Sequence, residues 1–426
     1  MNETAQLTNP ALGVAIFALG GLAGAVFYLP FKKVKNWAWE SYWFVYAVFG
    51  LLIVPWVLAF STSPNVIAVL KQAPGQQVFY CAMCGAMWGV GGLTWGLMIR
   101  YLGVGLGLAI GCGLCSAAGT LIPPIISGNL QKLFGTTAGY ASLAGVAVSL
   151  LGIVLVGMAG MSKENELPDA EKKKAVAEYN FKKGLIVAIF SGLMSSAMSF
   201  GLQGGADIEK LAQTVSPITS ATWKGMPVLV VVLFGGFIVN ATWCILLNLR
   251  NKTVGDYCRT DAPLFSNLVF AGLAGAIWCS QFICFKTGEP AMGKMAYVGW
   301  AVLMASAILF STLLGILLGE WRGTSSRTRT LLACGLVLLL LSSVIAGYSG
   351  NLAEKENVAP KAELVGQGAR GLDRRRSCDR ALNEENVPCS RIVLPSRECG
   401  WSFDLGSAMA GRLRLRLRSA LSQLTA

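Results

Sequence analysis

The fold class is decided by one nearly uncharged stretch of the chain, Val78–Ile126: VFYCAMCGAMWGVGGLTWGLMIRYLGVGLGLAIGCGLCSAAGTLIPPII. Its one charged residue is Arg100. As a single helix rising 1.5 Å per residue it would be roughly 74 Å long, more than twice the roughly 30 Å of hydrocarbon in a bilayer. The stretch therefore predicts two membrane helices, joined by a tight turn at Arg100–Gly103.

Apolar runs of similar character recur along the chain from residue 11 to residue 349. The whole sequence is 54% hydrophobic and 13% charged, with a mean hydropathy of +0.57, which excludes a water-soluble surface. The pattern predicts an all-α membrane protein of about ten transmembrane helices. The predicted spans are 11–31, 40–60, 78–99, 101–125, 139–160, 184–204, 226–248, 264–285, 296–318 and 330–349.

The basic residues predict how the chain is oriented. A net charge of +13 would suggest nucleic-acid binding in a soluble protein, but here Lys and Arg lie in short loops between apolar runs, and no nucleic-acid partner is expected. Alternate loops up to residue 351 carry 16 and six basic residues, which places the richer set in the cytoplasm. The opening MNETAQLTNP lacks the basic residues of a secretory signal, so we expect the first span to be retained.

The longest polar interruption, 161–183, divides the apolar body into two halves of five helices, 11–160 and 184–350. The third span of each half carries a similar tetrapeptide, Gly85–Trp88 (GAMW) and Gly275–Trp278 (GAIW). Because five is odd, the halves would enter the membrane from opposite sides, which predicts two inverted five-helix repeats. The remaining segments are a short N-terminal segment 1–10, a basic cytoplasmic loop 161–183 and a disordered basic tail 351–426.

Cysteine and histidine usage bears on catalysis and metal binding. The chain has no histidine, and the CxxC pairs Cys81/Cys84 and Cys112/Cys115 lie inside apolar runs, where they are interpreted as packing residues. No metal site or cofactor is expected. Without a nucleophile–base pair or metal set in the spans, the sequence does not indicate an enzyme.

Several motifs resemble the bacterial L-rhamnose-proton symporter family, and together they cover residues 10–350. The most specific is Phe27–Lys35, FYLPFKKVK, followed by Trp37–Glu40, WAWE. Further matches are Gly85–Gly89, Gly96–Leu97, Arg100–Gly103, Gly119–Ile125, Phe181–Gly184, Met198–Phe200, Gln281–Phe282 and Glu320–Trp321.

The resemblance implies a drug/metabolite-transporter type fold that imports L-rhamnose, or a related deoxysugar, together with a proton across the bacterial inner membrane. The expected partners are therefore a small sugar, protons and the lipid bilayer. An exporter or exchanger of another small molecule and a non-transporting membrane sensor remain alternatives. The sequence leaves the exact sugar, the coupling ion and the oligomeric state open.

A neutral, hydroxyl-rich sugar needs hydrogen-bonding side chains and aromatic faces near the middle of the membrane. The substrate-binding candidates are Trp88, Trp95, Asn240, Trp278 and Gln281. Each taken alone is equally consistent with an interfacial tryptophan or an interhelical hydrogen bond. As a set they favour a sugar site, because Trp88 and Trp278 occupy equivalent positions in the two halves.

Proton coupling in a chain without histidine requires a carboxylate or water. Glu40, at the start of the second span, and Glu320, at the end of the ninth, are the candidates. Both lie near span ends, where an ion pair at the cytoplasmic face is the competing interpretation.

Five further residues are candidates for gating or orientation. Lys32 and Lys33 follow the first span, and Arg100 lies in the predicted turn, where snorkelling and orientation suffice to explain it and a gating role is the alternative. Pro123 and Pro124 leave backbone carbonyls without helical partners. They mark either a break facing a cavity or an ordinary helix end.

Overall fold

The structure of the protein is a computed structural model that describes residues 9–126, 134–166, 180–259, 262–319 and 321–382. These residues are almost entirely helical, and no β-strand occurs among them. The chain divides into two units, Met1–Lys361 and Ala362–Ala426. The spans and the sites described below belong to the first unit.

Within the described ranges, nine helices are long and apolar enough to cross a membrane, and a tenth, shorter apolar helix lies between the third and fourth of them. Numbered in chain order they are α1 (Pro10–Lys33), α2 (Trp39–Thr62), α3 (Gly75–Leu102), α4 (Ile110–Ile126, the shorter one), α5 (Thr137–Glu166), α6 (Lys182–Thr214), α7 (Met226–Asn251), α8 (Leu264–Met292), α9 (Met295–Leu317) and α10 (Ser326–Ala353). The predicted all-α membrane architecture is confirmed, and each predicted span has one of these helices as its counterpart.

The long stretch that predicted two spans folds back on itself between α3 and α4. Helical hydrogen bonding is assigned from Gly75 to Ile126, yet a Cβ on Gly111 would lie 2.3 Å from the Trp95 ring and 2.8 Å from Met98 Sδ. In a straight helix, Trp95 and Gly111 would be roughly 24 Å apart. Gly107 likewise lies against Ile99. The predicted hairpin is therefore confirmed, and these contacts are centred near Gly103, at the end of the predicted turn.

Two spans are longer or less regular than the sequence predicted. α2 has a π-helical turn at Val48–Ile53, ahead of Pro55. α8 continues to Met292 instead of ending at residue 285, so Lys286 lies inside a span and was wrongly counted among the loop residues. A lysine in an apolar run signals a helix end only when its charge reaches water, and here a partner inside the protein compensates it.

Close backbone approaches at two glycines pack α3 against α7 and α8 against α2. A Cβ on Gly85 would lie 1.8 Å from Val232 O of α7, and a Cβ on Gly275 would lie 2.4 Å from Tyr46 O of α2. Small residues are required where membrane helices come this close. The two contacts join equivalent helix pairs of the two predicted halves, although the inversion of the repeats itself stays a prediction.

Backbone contacts bring together the basic loops that were predicted to share one side of the membrane. Lys35 N donates to Asn267 Oδ1 at 3.0 Å, and Asn180 N donates to Tyr101 O at 3.3 Å. Glu166, at the end of α5, accepts from Ser325 N at 2.7 Å. These contacts join the loops in pairs, in agreement with the alternation from which the orientation was predicted.

Parts of the predicted domain organisation fall on residues outside the described ranges. These are residues 1–8 of the N-terminal segment, residues 167–179 of the loop 161–183, and residues 383–426 of the tail. The last helix is assigned to Ser326–Leu382, so residue 351 is not a helix end. The domain boundaries and the disorder of the tail stay predictions.

Candidate functional site

A cluster of aromatic rings lies where α3 and α8 meet at their midpoints. The centroids of the Trp88 and Trp278 rings are 4.9 Å apart, and Phe282 lies 4.6 Å from Trp278. Trp88 is the fourteenth of 28 residues in α3, and Trp278 is the fifteenth of 29 in α8. The two tryptophans predicted to be equivalent therefore contact each other near mid-span.

Further rings extend this cluster toward the neighbouring spans. Tyr46 of α2 lies 5.9 Å from Trp278, and Trp43 lies 4.6 Å from Tyr46. On the other side, Trp300 of α9 stacks 6.4 Å from Phe282. The rings form a continuous aromatic surface that joins both halves of the chain.

Two of the predicted polar residues border this aromatic surface. Asn240 is buried in α7, where its Oδ1 accepts from Trp43 Nε1 at 3.1 Å and its Nδ2 donates to Gly236 O at 2.9 Å. Gln281 is buried in α8, and its Nε2 donates to Trp278 O at 3.1 Å. Asn240 therefore bonds directly to a ring of the cluster, whereas Gln281 bonds to the backbone of Trp278, and its Oε1 lies against Gly24 of α1.

Trp95, the fifth predicted substrate residue, lies elsewhere. Its ring packs on Gly111 in the α3–α4 hairpin, next to a separate small core that contains Met98, Leu102 and Ala188. The structure therefore brings together four of the five candidates and leaves Trp95 apart from them.

Two hydroxyl groups that the sequence did not single out lie on α4 near the ring cluster. Ser116 and Thr120 are fully buried one helical turn apart, and their hydroxyls are without a hydrogen-bond partner in the described part of the protein. The neighbouring Gly119 packs directly against the Trp300 indole. Buried hydroxyls normally have a partner, so a pair without one is a signal for a ligand or water. Pattern reading missed them because Ser and Thr are ordinary residues in membrane helices.

Glu40 lies at one end of α2 in a network of neutral donors. It is 6% exposed, and its Oε1 accepts from Asn251 Nδ2 and Thr253 Oγ1, both at 2.9 Å. The competing interpretation, an ion pair at the cytoplasmic face, is not what the structure shows for Glu40, because amide and hydroxyl groups bind its carboxylate while Lys32 and Lys33 are exposed. Glu320, the other proton-coupling candidate, lies outside the described residues.

Asp256 extends the Glu40 network between the two halves. Its Oδ2 accepts from Ala38 N and from Ser41 Oγ, both at 2.8 Å, and Asn248 Oδ1 accepts from Ser41 at 3.2 Å. Tyr257 donates to Ser41 O at 3.2 Å, and burial raises the pKa of this phenol to about 12, so it stays a donor. The network connects the start of α2 to the loop after α7.

A second charged cluster, which sequence reasoning missed, lies at the opposite end of α7 and α8. Lys286 Nζ binds Glu209 Oε1 at 2.5 Å and also contacts the carboxylate of Glu289, and Lys224 Nζ lies 3.2 Å from Glu209 Oε2. The signal that could have revealed it is the spacing Lys286–Glu289, three residues apart in the apolar run that ends α8.

The second cluster borders a cavity of about 420 Å³. Its lining combines charged, amide and small side chains, namely Gln203, Ala206, Glu209, Gln213, Ala221, Lys224, Lys286, Glu289, Pro290, Gly293 and Ala296. A cavity lined by buried charges in a membrane protein is typical of a substrate or ion pathway.

The sequence matches the L-rhamnose-proton symport protein family over residues 8–351. It is also similar to the L-rhamnose-proton symporters of Yersinia pestis and Cronobacter sakazakii, at 31% identity over 340 residues in each case. These alignments cover 79% of this chain and 97% and 96% of the two relatives. The chain belongs to the L-rhamnose-proton symport protein family.

Membership of the L-rhamnose-proton symport protein family makes the chain a multi-pass transporter of the bacterial inner membrane and not an enzyme. It also agrees with the all-helical body, since the matched residues extend over all ten spans. The resemblance drawn from the motifs is therefore confirmed.

The remaining candidates of this family member lie at the ends of spans. Lys32 and Lys33 are exposed in the 3-10 turn that ends α1, and Arg100 is exposed near the end of α3. Pro123 and Pro124 lie close to Ile126, the last residue of α4 that the structure describes. A gating or orientation role for these five residues stays a prediction.

Proposed function

We propose that this chain imports L-rhamnose together with a proton across the bacterial inner membrane by alternating access. The observation that carries the proposal is the family match, which spans the whole ten-helix body, with curated relatives named L-rhamnose-proton symporters. A cavity lies at one end of α8, and the hydrogen-bonded Glu40 network lies at the other end. This difference is consistent with a transporter that is open on the cavity side and closed on the Glu40 side.

The aromatic surface around Trp88 and Trp278 is the proposed sugar site. A 6-deoxyhexose has hydroxyl groups on its rim and an apolar face with a methyl group, which indole rings can cover. Trp278 is buried and Trp88 only partly so, which leaves part of the Trp88 ring free to contact the apolar face of a ligand. Asn240 and Gln281, each a donor and an acceptor, would exchange internal bonds for bonds to sugar hydroxyls.

The unpartnered hydroxyls of Ser116 and Thr120 support the same location. A sugar hydroxyl or an ordered water at this position would satisfy two buried groups that otherwise carry a desolvation cost. Trp300, which contacts the adjacent Gly119, connects α4 to the ring cluster. The proposed site thus uses both halves of the chain.

The proposal is tested by uptake of labelled L-rhamnose into proteoliposomes under an imposed inward proton gradient, against a panel of other sugars. We expect rhamnose-selective accumulation that a protonophore abolishes. Accumulation that persists with the protonophore would reject proton coupling. Absence of rhamnose flux in folded protein would reject the substrate and redirect the assays to efflux and exchange of other metabolites.

A further inference from the structure

The feature that carries this inference is the buried lysine of α8. The Lys286 side chain is 1% exposed, and its ammonium has three acceptors, namely Leu202 O at 3.0 Å and one oxygen each of Glu209 and Glu289. An ammonium has three protons, so every donor is used. Lys286 thus joins the end of α8 to two positions on α6.

The two carboxylates of this cluster differ in their compensation. Glu209 is bound by both Lys286 and Lys224, whereas Glu289 shares Lys286 with Glu209 and is bound by no second cation among the side chains that the structure describes, which do not include Lys294. In a medium of low dielectric constant, a carboxylate with less positive charge around it binds a proton more readily. Of the two, Glu289 is therefore the group whose charge is more easily neutralised.

Glu289 also has a route to bulk water. It lines the 420 Å³ cavity, and the same wall carries Gln203, whose amide donates to Ser199 Oγ at 2.6 Å. Among the side chains that the structure describes, the titratable groups facing this carboxylate are Lys286, Glu209 and Lys224. On the orientation predicted from the basic loops, the cavity opens outward, where an importer takes up its proton.

We propose that Glu289 is the residue that binds the co-transported proton, with Lys286 and Glu209 positioning it. A proton from the cavity converts the Glu289 carboxylate to a neutral carboxyl, and its bond to the Lys286 ammonium weakens. Lys286 keeps its bonds to Glu209 and Leu202, so the cluster changes from neutral to singly positive without leaving a buried ammonium unpaired. This inference rests on the proposed proton-coupled import.

The proton site and the proposed sugar site share one helix. Trp278, Phe282 and Lys286 are four residues apart in succession, so they lie along one face of α8, with about 12 Å between the first and the last. Trp300 contacts Phe282 and, at 5.6 Å, Phe285 of the next turn. Neutralising Glu289 changes the ionic contact at the end of the helix that carries the sugar-binding rings, which gives a physical path for coupling.

The first test compares Glu289→Gln with wild type in proteoliposomes. Gln keeps an oxygen that accepts from Lys286 and mimics the protonated state, so sugar counterflow is expected to stay near the wild-type rate while gradient-driven accumulation falls to the protonophore level. Asp207→Asn, which removes an exposed carboxylate from the same end of the molecule, is the matched control and should accumulate sugar normally. Wild-type accumulation by Glu289→Gln would overturn the inference.

A second readout does not depend on sugar transport. Infrared difference spectra of purified wild type on acidification should show the band of a buried protonated carboxyl, absent in Glu289→Gln and present in Asp207→Asn. If that band persists in Glu289→Gln, the assignment of the proton to Glu289 is wrong. Because the measurement involves no sugar, this conclusion holds whether or not rhamnose is the substrate. If Glu289→Gln fails to fold, Glu289→Asp should retain accumulation with a shifted pH dependence; an unshifted profile contradicts the assignment.

Discussion

The charged clusters at the two ends of α7 and α8 satisfy their carboxylates in different ways. Glu40 accepts from the neutral side chains of Asn251 and Thr253. Glu289 shares one ammonium and faces a cavity. The clusters lie roughly 35 Å apart along α7, measured from Gly225, which contacts Lys286, to Asn248.

This difference indicates which of the two carboxylates, Glu40 or Glu289, is better suited to change its charge. Donors that are hydrogen-bonded to a carboxylate favour its charged form, and Asn251 and Thr253 both donate to Glu40 Oε1. A carboxylate that shares one ammonium with a second carboxylate can change its charge more easily. When it is protonated, the ammonium still has the second carboxylate as its partner. We therefore interpret the Glu40 network as a structural connection between the halves and the Lys286 cluster as the site of proton exchange.

The largest expected effect is that of Lys286→Met. Removing the ammonium leaves two carboxylates facing each other in a nearly buried site, which is expected to destabilise the protein by about 3–5 kcal/mol. The midpoint of thermal unfolding in detergent should fall well below that of Lys210→Met, since Lys210 is 77% exposed.

The double variant Lys286→Met/Glu289→Gln tests the cause of that destabilisation. It keeps the Lys224–Glu209 pair and removes the unbalanced charge, so it should unfold at a higher temperature than Lys286→Met alone. Equal midpoints for the single and the double variant would show that packing and not charge balance dominates at this end.

Glu40→Ala is expected to have the next largest effect. It removes the acceptor of Asn251 and Thr253, and leaving such groups unsatisfied costs about 1–3 kcal/mol. Glu40→Gln keeps an accepting oxygen, so it should be closer to wild type in thermal unfolding and should still accumulate sugar. Loss of accumulation with intact sugar exchange in Glu40→Gln would assign the proton to Glu40 and reverse the comparison.

Between the two clusters, Trp88→Phe tests the aromatic surface. The smaller ring loses part of its contact with Trp278. It would also lose about 0.5–1.5 kcal/mol of aromatic contact to the sugar, which would raise the rhamnose concentration for half-maximal uptake by about two- to tenfold. Trp95→Phe is the matched control, because Trp95 packs in the α3–α4 hairpin. An equal change in both variants would argue against a sugar site at Trp88.

The smallest effect is expected for Lys224→Gln. Lys224 is 31% exposed at the mouth of the cavity, and a solvated pair of this kind contributes about 0–1 kcal/mol. Removing it leaves Glu209 and Glu289 with Lys286 alone, so proton uptake should extend to higher pH. The pH dependence of rhamnose uptake measures this shift, and an unchanged profile would show that Lys224 does not act on the cluster.

Sequence analysis predicted the features that depend on hydropathy and helix length, and it misassigned a buried charge. The all-α membrane architecture and the α3–α4 hairpin were predicted correctly because the thickness of the bilayer imposes a length that hydropathy reports. The meeting of Trp88 and Trp278 agrees with the equivalence of two tetrapeptides. Lys286 was misassigned, because a lone lysine in an apolar run looks the same whether it reaches water or a partner on another helix.

By itself, the sequence determined the all-α membrane architecture, the number of spans and the family, because these depend on local hydrophobicity and on motifs contained in single helices. Only the tertiary structure decided which polar groups meet. Glu209, the long-range carboxylate partner of Lys286, lies 77 residues away along the chain, and the partners of Glu40 lie 211 and 213 residues away. Such long-range pairings follow from how helices pack, and no periodicity within one helix encodes them.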